Sequence, residues 1–222
     1  ALGEAEIRAL LARPVLRLTF DEGAANPPVD SSGYGHAVSA TCPNAGCRKL
    51  VGVSGQAEAL FNHNQDENDV SYLTVTPVGS LLDLSGGRLT YSAWISPSLN
   101  SAQAGGLILG DNVQGSTLYP TLSQEQGRKL KFDFATPASL YSRTTPGDVL
   151  TLGAWNHVAV SFDNGLYVLY VNGVERDRFT FGANLQPRLY SGPLQLGYRL
   201  DAFIDSVEIY RQPLGAEDIQ RL

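Results

Sequence analysis

Between Val158 and Phe181 three apolar runs of strand length are joined by two turns of explicit chemistry, Asp163-Asn164-Gly165 and Asn172-Gly173. Asn, Asp and Gly tolerate the positive φ that tight hairpins require, so this stretch is predicted to be a three-stranded antiparallel meander. The same grammar holds along the chain. Short alternating runs at 15–20, 37–41, 57–61, 70–75, 89–96, 106–109, 129–135, 157–162, 166–171, 176–181, 193–197 and 202–210 are separated by Gly, Pro, Asn and Asp. Helical periodicity is confined to the two ends, and no linker divides the chain after Pro14. The expected fold class is therefore all-β, a two-sheet antiparallel β-sandwich with short terminal helices.

The last run, 202–210, poses a problem. Strict alternation puts Phe203, Asp205, Val207 and Ile209 on one face, three of them strongly apolar, so a carboxylate is expected on the buried side. Such a group is costly unless paired, hydrogen-bonded or metal-bound. The first run places Leu16, Leu18 and Phe20 on one face, with Glu22 continuing it. The segment 21–35 that follows is a loop rich in oxygen-bearing side chains, among them Asp21, Glu22 and Asp30.

A net charge of -6 and a pI near 5.0, with no basic run, exclude a nucleic-acid or anionic-membrane partner on electrostatic grounds. The longest apolar runs are strand-length, far short of a bilayer-spanning helix. The two cysteines, Cys42 and Cys47, enclose the turn-forming Pro43-Asn44-Ala45-Gly46, and a disulfide in an exported protein is expected. Free thiols, or a metal shared with His36, are the alternatives. The run Leu2-Gly3-Glu4-Ala5-Glu6-Ile7 resembles Leu214-Gly215-Ala216-Glu217-Asp218-Ile219. With Ala1 in place of a start methionine, this reads as a piece of a tandem array: residues 1–13 are the tail helix of a preceding repeat or an N-terminal extension, and 14–222 are the domain.

Several stretches together resemble the laminin-G-like jelly rolls of the concanavalin A-like superfamily, especially the bacterial tandem type. They are Leu18-Thr19-Phe20-Asp21-Glu22-Gly23 with Asp30-Ser31-Ser32-Gly33, Gly52-Val53-Ser54-Gly55-Gln56-Ala57 with Phe61, and Tyr91-Ser92-Ala93-Trp94-Ile95. Trp155-Asn156-His157-Val158-Ala159-Val160, Tyr170-Val171-Asn172-Gly173 and Ile204-Asp205-Ser206-Val207-Glu208-Ile209-Tyr210 complete the set. The chain departs from the family in the polar insertion 62–69. The resemblance implies a structural Ca²⁺ held by Asp21, Glu22, Asp30 and Asp205; the alternative is that Asp205 caps loop amides. A second acidic group, Asp66, Glu67 and Asp69, reads as a solvated loop.

His157 lies on the face opposite Val158, Val160 and Phe162 and reads as a structural histidine. Trp94 and Trp155 read as sheet-packing residues, and Tyr34, Tyr119, Tyr141 and Tyr190 as loop aromatics suited to glycan or protein contact. Glycosidase chemistry needs two carboxylates across a cleft, and the nearest pair, Glu175 and Asp177, directly follows a tight turn. No nucleophile elbow, phosphate loop or zinc spacing is present. The expectation is a non-catalytic, secreted or surface-attached bacterial recognition module that binds carbohydrate. Its partners are a glycan or an extracellular protein, and neighbouring domains of the same chain. Protein adhesion or spacing is the alternative, and a glycoside hydrolase the least favoured.

Overall fold

A computed structural model of the chain describes residues 13–23, 27–43, 47–60, 70–100, 105–111, 120–188 and 192–222. In chain order the strands are β1 (Leu16–Leu18), β2 (Ala37–Thr41), β3 (Cys47–Val51), β4 (Gln56–Leu60), β5 (Tyr72–Thr76), β6 (Arg88–Pro97), β7 (Gly106–Gly110) and β8 (Thr121–Glu125). They continue with β9 (Lys129–Ala135), β10 (Leu140–Thr144), β11 (Asn156–Asp163), β12 (Leu166–Val171), β13 (Val174–Thr180), β14 (Leu194–Leu196) and β15 (Ala202–Tyr210). One short helix, α1 (Ala216–Ile219), follows.

The strands form two antiparallel sheets. The first runs β13-β12-β11-β6-β15-β4-β3, with β1 also on β15, and the second runs β10-β9-β8-β7-β14-β5-β2. The meander forms as expected: Asn164 and Gly165 turn at φ 51° and 110°, and Asn172 and Gly173 at 53° and 71°. Fully buried side chains from facing strands fill the space between the sheets. Tyr91, Ile95, Val158, Val160 and Phe162 of the first sheet face inward, and Phe134 of the second packs on Phe162 with ring centres 4.7 Å apart. Among the described residues helix occurs only at the C-terminal end; the N-terminal helix expected over 1–13 falls almost wholly outside them.

The backbone departs from simple alternation at two places. Phe20 sits at φ 63°, which ends β1 at Leu18 and takes Glu22 off the apolar face it was expected to continue. In β15 the register against β6 shifts between Asp205 and Glu208, with Ser206 at φ 48°. A bulge of this kind reverses the facing of everything beyond it. Phe203 and Asp205 therefore point away from the inter-sheet core, whereas Val207 and Ile209 point into it. Asp205 is nonetheless fully buried, beneath the turn between β3 and β4.

Strand β15 is the hub. Its first half pairs with β4 (Ile204 opposite Glu58) and its second half pairs with β1 (Val207 opposite Leu18), so both share one edge of it with the bulge between them. The outer face of the first sheet carries a second, smaller apolar cluster. Ile219 of α1 packs there with Leu214 against Ala159, Tyr170 and Tyr210.

Candidate functional site

Of the four residues expected to hold a cation, Asp21 and Asp205 meet at one hairpin turn, and each of the four carboxylates accepts at least one backbone amide. Asp205 Oδ2 accepts the amides of Val53 at 2.8 Å and Ser54 at 3.3 Å, and Asp21 Oδ1 accepts that of Gln56 at 2.8 Å. Both thus clamp the same hairpin turn from two sides. Asp30 accepts the amides of Ser32, His36 and Arg17 at 2.9, 3.0 and 3.2 Å. Burial raises its carboxyl, but the hydrogen bonds outweigh that and hold it below the usual range. For Asp205 the balance is reversed: burial pushes the carboxyl up, and the amides offset only part of this. Glu22 accepts the Val29 amide at 3.0 Å, and its other oxygen lies 3.9 Å from the Lys49 ammonium.

Lys49 was not singled out in the sequence, although the cross-strand pair it forms with Glu58 is of an ordinary kind. Its ammonium lies 3.2 Å from Glu58 and donates to the Phe20 carbonyl at 3.0 Å. Burial raises the Glu58 carboxyl, and Lys49 offsets only part of this. Lys49 thus supplies a positive charge to Glu58 and Glu22. Among the described residues no three His, Cys, Asp or Glu side chains form a group that could hold a metal ion.

The other candidates separate clearly. Cys42 and Cys47 form a disulfide, and both ring nitrogens of His36 are engaged, by the Val15 carbonyl at 2.9 Å and the Val78 amide at 3.0 Å. Tyr141 is not a loop residue: it lies in β10, stacked on Phe134 at 5.0 Å. Tyr34 is exposed. Tyr119, Tyr190, Asp66, Glu67 and Asp69 lie outside the described residues. Glu175 and Asp177 do not form a pair, because a bulge between them in β13 sends them to different faces. Asp177 is buried against Arg143 at 2.7 and 2.8 Å, and Glu175 pairs with Arg178 at the surface.

What the structure does gather is an aromatic cleft of about 300 Å³ on the outer face of the first sheet. Trp94 of β6 and His157 of β11 are cross-strand partners, with rings 5.2 Å apart. They face outward because their neighbours Ala93 and Val158 face the core. Trp155 lies just before β11, the Asn172-Gly173 turn forms one wall, and Ile219 and Gln220 form another. Both indoles are half-buried, leaving ring surface open to a ligand.

The side chains of this cleft are held in place by their neighbours. Asn172 Oδ1 accepts the His157 amide at 2.9 Å, and His157 Nε2 meets the Ser92 hydroxyl at 2.8 Å. Burial pushes the His157 ring down to about 4, so it is neutral near pH 7. This Ser–His contact is not a nucleophile–base pair: Ser92 is only 2% exposed, and no described carboxylate meets the second ring nitrogen. The cleft offers flat aromatic surface, amide side chains and a neutral imidazole, which is equipment for binding. Sequence reasoning placed Trp94, Trp155 and His157 one by one but missed their convergence. The docking of α1 closes the cleft, and no local pattern encodes it.

A family model for the concanavalin A-like lectin/glucanases superfamily, of laminin-G type, matches residues 67–220. Among solved structures, the binding domain of Paraclostridial Mosquitocidal Protein 1 superposes with a TM-score of 0.72 at 17% identity, covering 96% of this chain and 52% of that one. The binding domain of botulinum neurotoxin DC in complex with SialylT gives 0.73 at 17%, covering 96% and 51%. The same toxin's binding domain in complex with rat synaptotagmin II gives 0.73 at 16%, covering 94% and 50%. The chain spans about half the length of these structures, and at such identities the likeness establishes the fold alone. With the two-sheet jelly roll and the matched residues together, the chain belongs to the concanavalin A-like lectin/glucanases superfamily in its laminin-G form.

Proposed function

We propose that this chain is a non-catalytic binding module whose ligand is a carbohydrate, seated in the cleft between Trp94 and Trp155. The observation that carries the reading is the placement of both tryptophans in one outward cleft, beside the amide side chains of Asn172 and Gln220. Indole faces stack against the apolar face of a sugar ring, and amides with a neutral imidazole suit its hydroxyls. The matched structures are binding domains, one of them solved with SialylT, and this supports the binding role. The disulfide supports a secreted or surface location, where such bonds persist, for a module of a larger bacterial protein.

The test uses a convenience of composition. The chain has two tryptophans, and both line the cleft, so intrinsic fluorescence reports on the site. A glycan array is expected to yield a hit that changes this fluorescence saturably, and Trp155→Ala is expected to abolish binding while leaving the far-ultraviolet dichroism intact. Array silence would favour the second reading, a protein partner, for which the synaptotagmin complex of a structural neighbour is the motivating observation.

A further inference from the structure

The electrostatics of the cleft narrow the class of sugar, on the footing of the carbohydrate reading above. None of the described side chains that line it carries a charge at neutral pH. Trp94, Trp155, Asn172, Ile219 and Gln220 have uncharged side chains, Gly173 and Leu222 add no charged side chain, and His157 is kept neutral by its burial. Arg221, the cation next in sequence to the lining residue Gln220, is taken up by Asp218 at 3.0 Å and Glu217 at 3.8 Å. A ligand carboxylate or sulfate entering here would lose water and meet the electron-rich faces of two indoles, with no cation to compensate. The protein's net charge of -6 adds a longer-range repulsion.

A neutral pyranose meets the opposite situation. Its apolar face covers indole, and its hydroxyls meet groups that can both donate and accept. The Gln220 amide is exposed on the rim. Ser92 fixes one nitrogen of His157, and the other has no hydrogen-bond partner among the described residues, which leaves it for a ligand hydroxyl. A volume of about 300 Å³ stands at the lower end of ligand sites, the scale of a terminal sugar unit and not of a long chain.

We propose that the cleft selects an uncharged terminal sugar unit and discriminates against its sialylated, uronic or sulfated counterparts. The experiment titrates the intact chain by tryptophan fluorescence with matched pairs: lactose and sialyllactose, glucose and glucuronate, galactose and galacturonate. The neutral member of at least one pair is expected to give a saturable change that is absent in Trp155→Ala. Its acidic counterpart is expected to bind about tenfold or more weakly, a ratio equivalent to about 1.4 kcal/mol. Gln220→Lys places a cation at an exposed rim position, and is expected to narrow or invert the ratio. An acidic sugar that binds as tightly as its neutral partner, with binding still lost in Trp155→Ala, would overturn the selectivity and leave the carbohydrate reading standing. A Gln220→Lys variant whose ratio does not move would also count against it. No saturable change with any sugar in these pairs or on the array would remove the carbohydrate reading and this inference with it.

Discussion

Gly52 and Gly55 are glycines because carboxylates stand where their side chains would be. A methyl group on Gly52 would collide with Asp205 Oδ2, and one on Gly55 with Asp21 Oδ1, and Gly55 also adopts φ +69°. The motif Gly52-Val53-Ser54-Gly55-Gln56 is therefore a receptor for two acidic side chains, each of which caps its amides. Gly55→Ala is expected to destabilise the domain by about 2 kcal/mol, since strain and displacement of Asp21 act together; urea unfolding measures it. Asp205→Ala orphans the Val53 and Ser54 amides and is expected to cost about 3 kcal/mol, whereas Asp205→Asn keeps an acceptor and should cost about 1. Melting curves in calcium and in EDTA are expected to coincide, because a cation would have to displace amides already bound and compete with the Lys49 ammonium. Lys49→Met is expected to cost about 3 kcal/mol by leaving Glu58 uncompensated. It is also the variant in which calcium should raise the melting temperature, as Glu22, Glu58 and the Phe20 carbonyl would then converge without a positive charge. An EDTA-sensitive wild type would restore the calcium expectation. The sequence announced that Asp205 needed a partner; it did not announce which, because the partners are backbone amides that every residue possesses.

At the scale of elements, strands with one apolar face were legible and strands without one were not. The boundaries of β9 (Lys129–Ala135), β12 (Leu166–Val171) and β15 (Ala202–Tyr210) are those read from alternation. The missed strands are β3 (Cys47–Val51), β8 (Thr121–Glu125) and β10 (Leu140–Thr144). Two of them are the outermost strands of their sheets, and β8 is largely polar, so none offers the period-two contrast that burial imposes. The bulge in β15 was illegible for a related reason: a serine at positive φ carries no signal of its own. Helix α1 is too short to form unaided, and its Ile219 anchors it on Ala159, Tyr170 and Tyr210. Ile219→Ala is expected to cost about 3 kcal/mol and to open one wall of the cleft, so that sugar-induced fluorescence change is lost along with stability. His157 beneath that wall sets a pH dependence. Its folded value of about 4 lies below the ordinary 6.5, so the folded state binds fewer protons than the unfolded chain. Its contribution is complete above about pH 6.5 and is lost as pH falls toward 4, amounting to about 3 kcal/mol. Melting followed from pH 7 to 4 should show His157→Gln losing less stability over this window than the parent.

At the scale of the whole molecule, a two-sheet sandwich has two open sides, and this chain closes both with specific bonds. On one side the outermost strands β2 and β3 belong to different sheets, and the Cys42–Cys47 disulfide joins the end of one to the start of the other. On the other side stand β10 and β13, again from different sheets, and Arg143 of β10 reaches across to Asp177 of β13 with two hydrogen bonds while lying over the Phe179 ring at 4.8 Å. Exposed sheet edges invite association with other chains, so a fastening at each side serves stability and solubility together. The disulfide encloses so few residues that its effect on the unfolded chain is modest, about 2 kcal/mol. Asp177→Ala leaves a half-buried guanidinium without its counter-charge and is expected to cost about 2 kcal/mol. The two fastenings lie at opposite ends of the strand order and share no partner, so the Cys42→Ser, Cys47→Ser, Asp177→Ala combination is expected to lose the sum, about 4 kcal/mol, within about half a kcal/mol. Denaturant unfolding of the four proteins, read by both tryptophan fluorescence and far-ultraviolet dichroism, tests this. Additive losses with coincident transitions mean that the sheets share one cooperative core and the edge bonds merely deepen it. A combined loss well beyond the sum, or transitions that separate between the two probes, would mean that the sheets come apart once neither side is fastened.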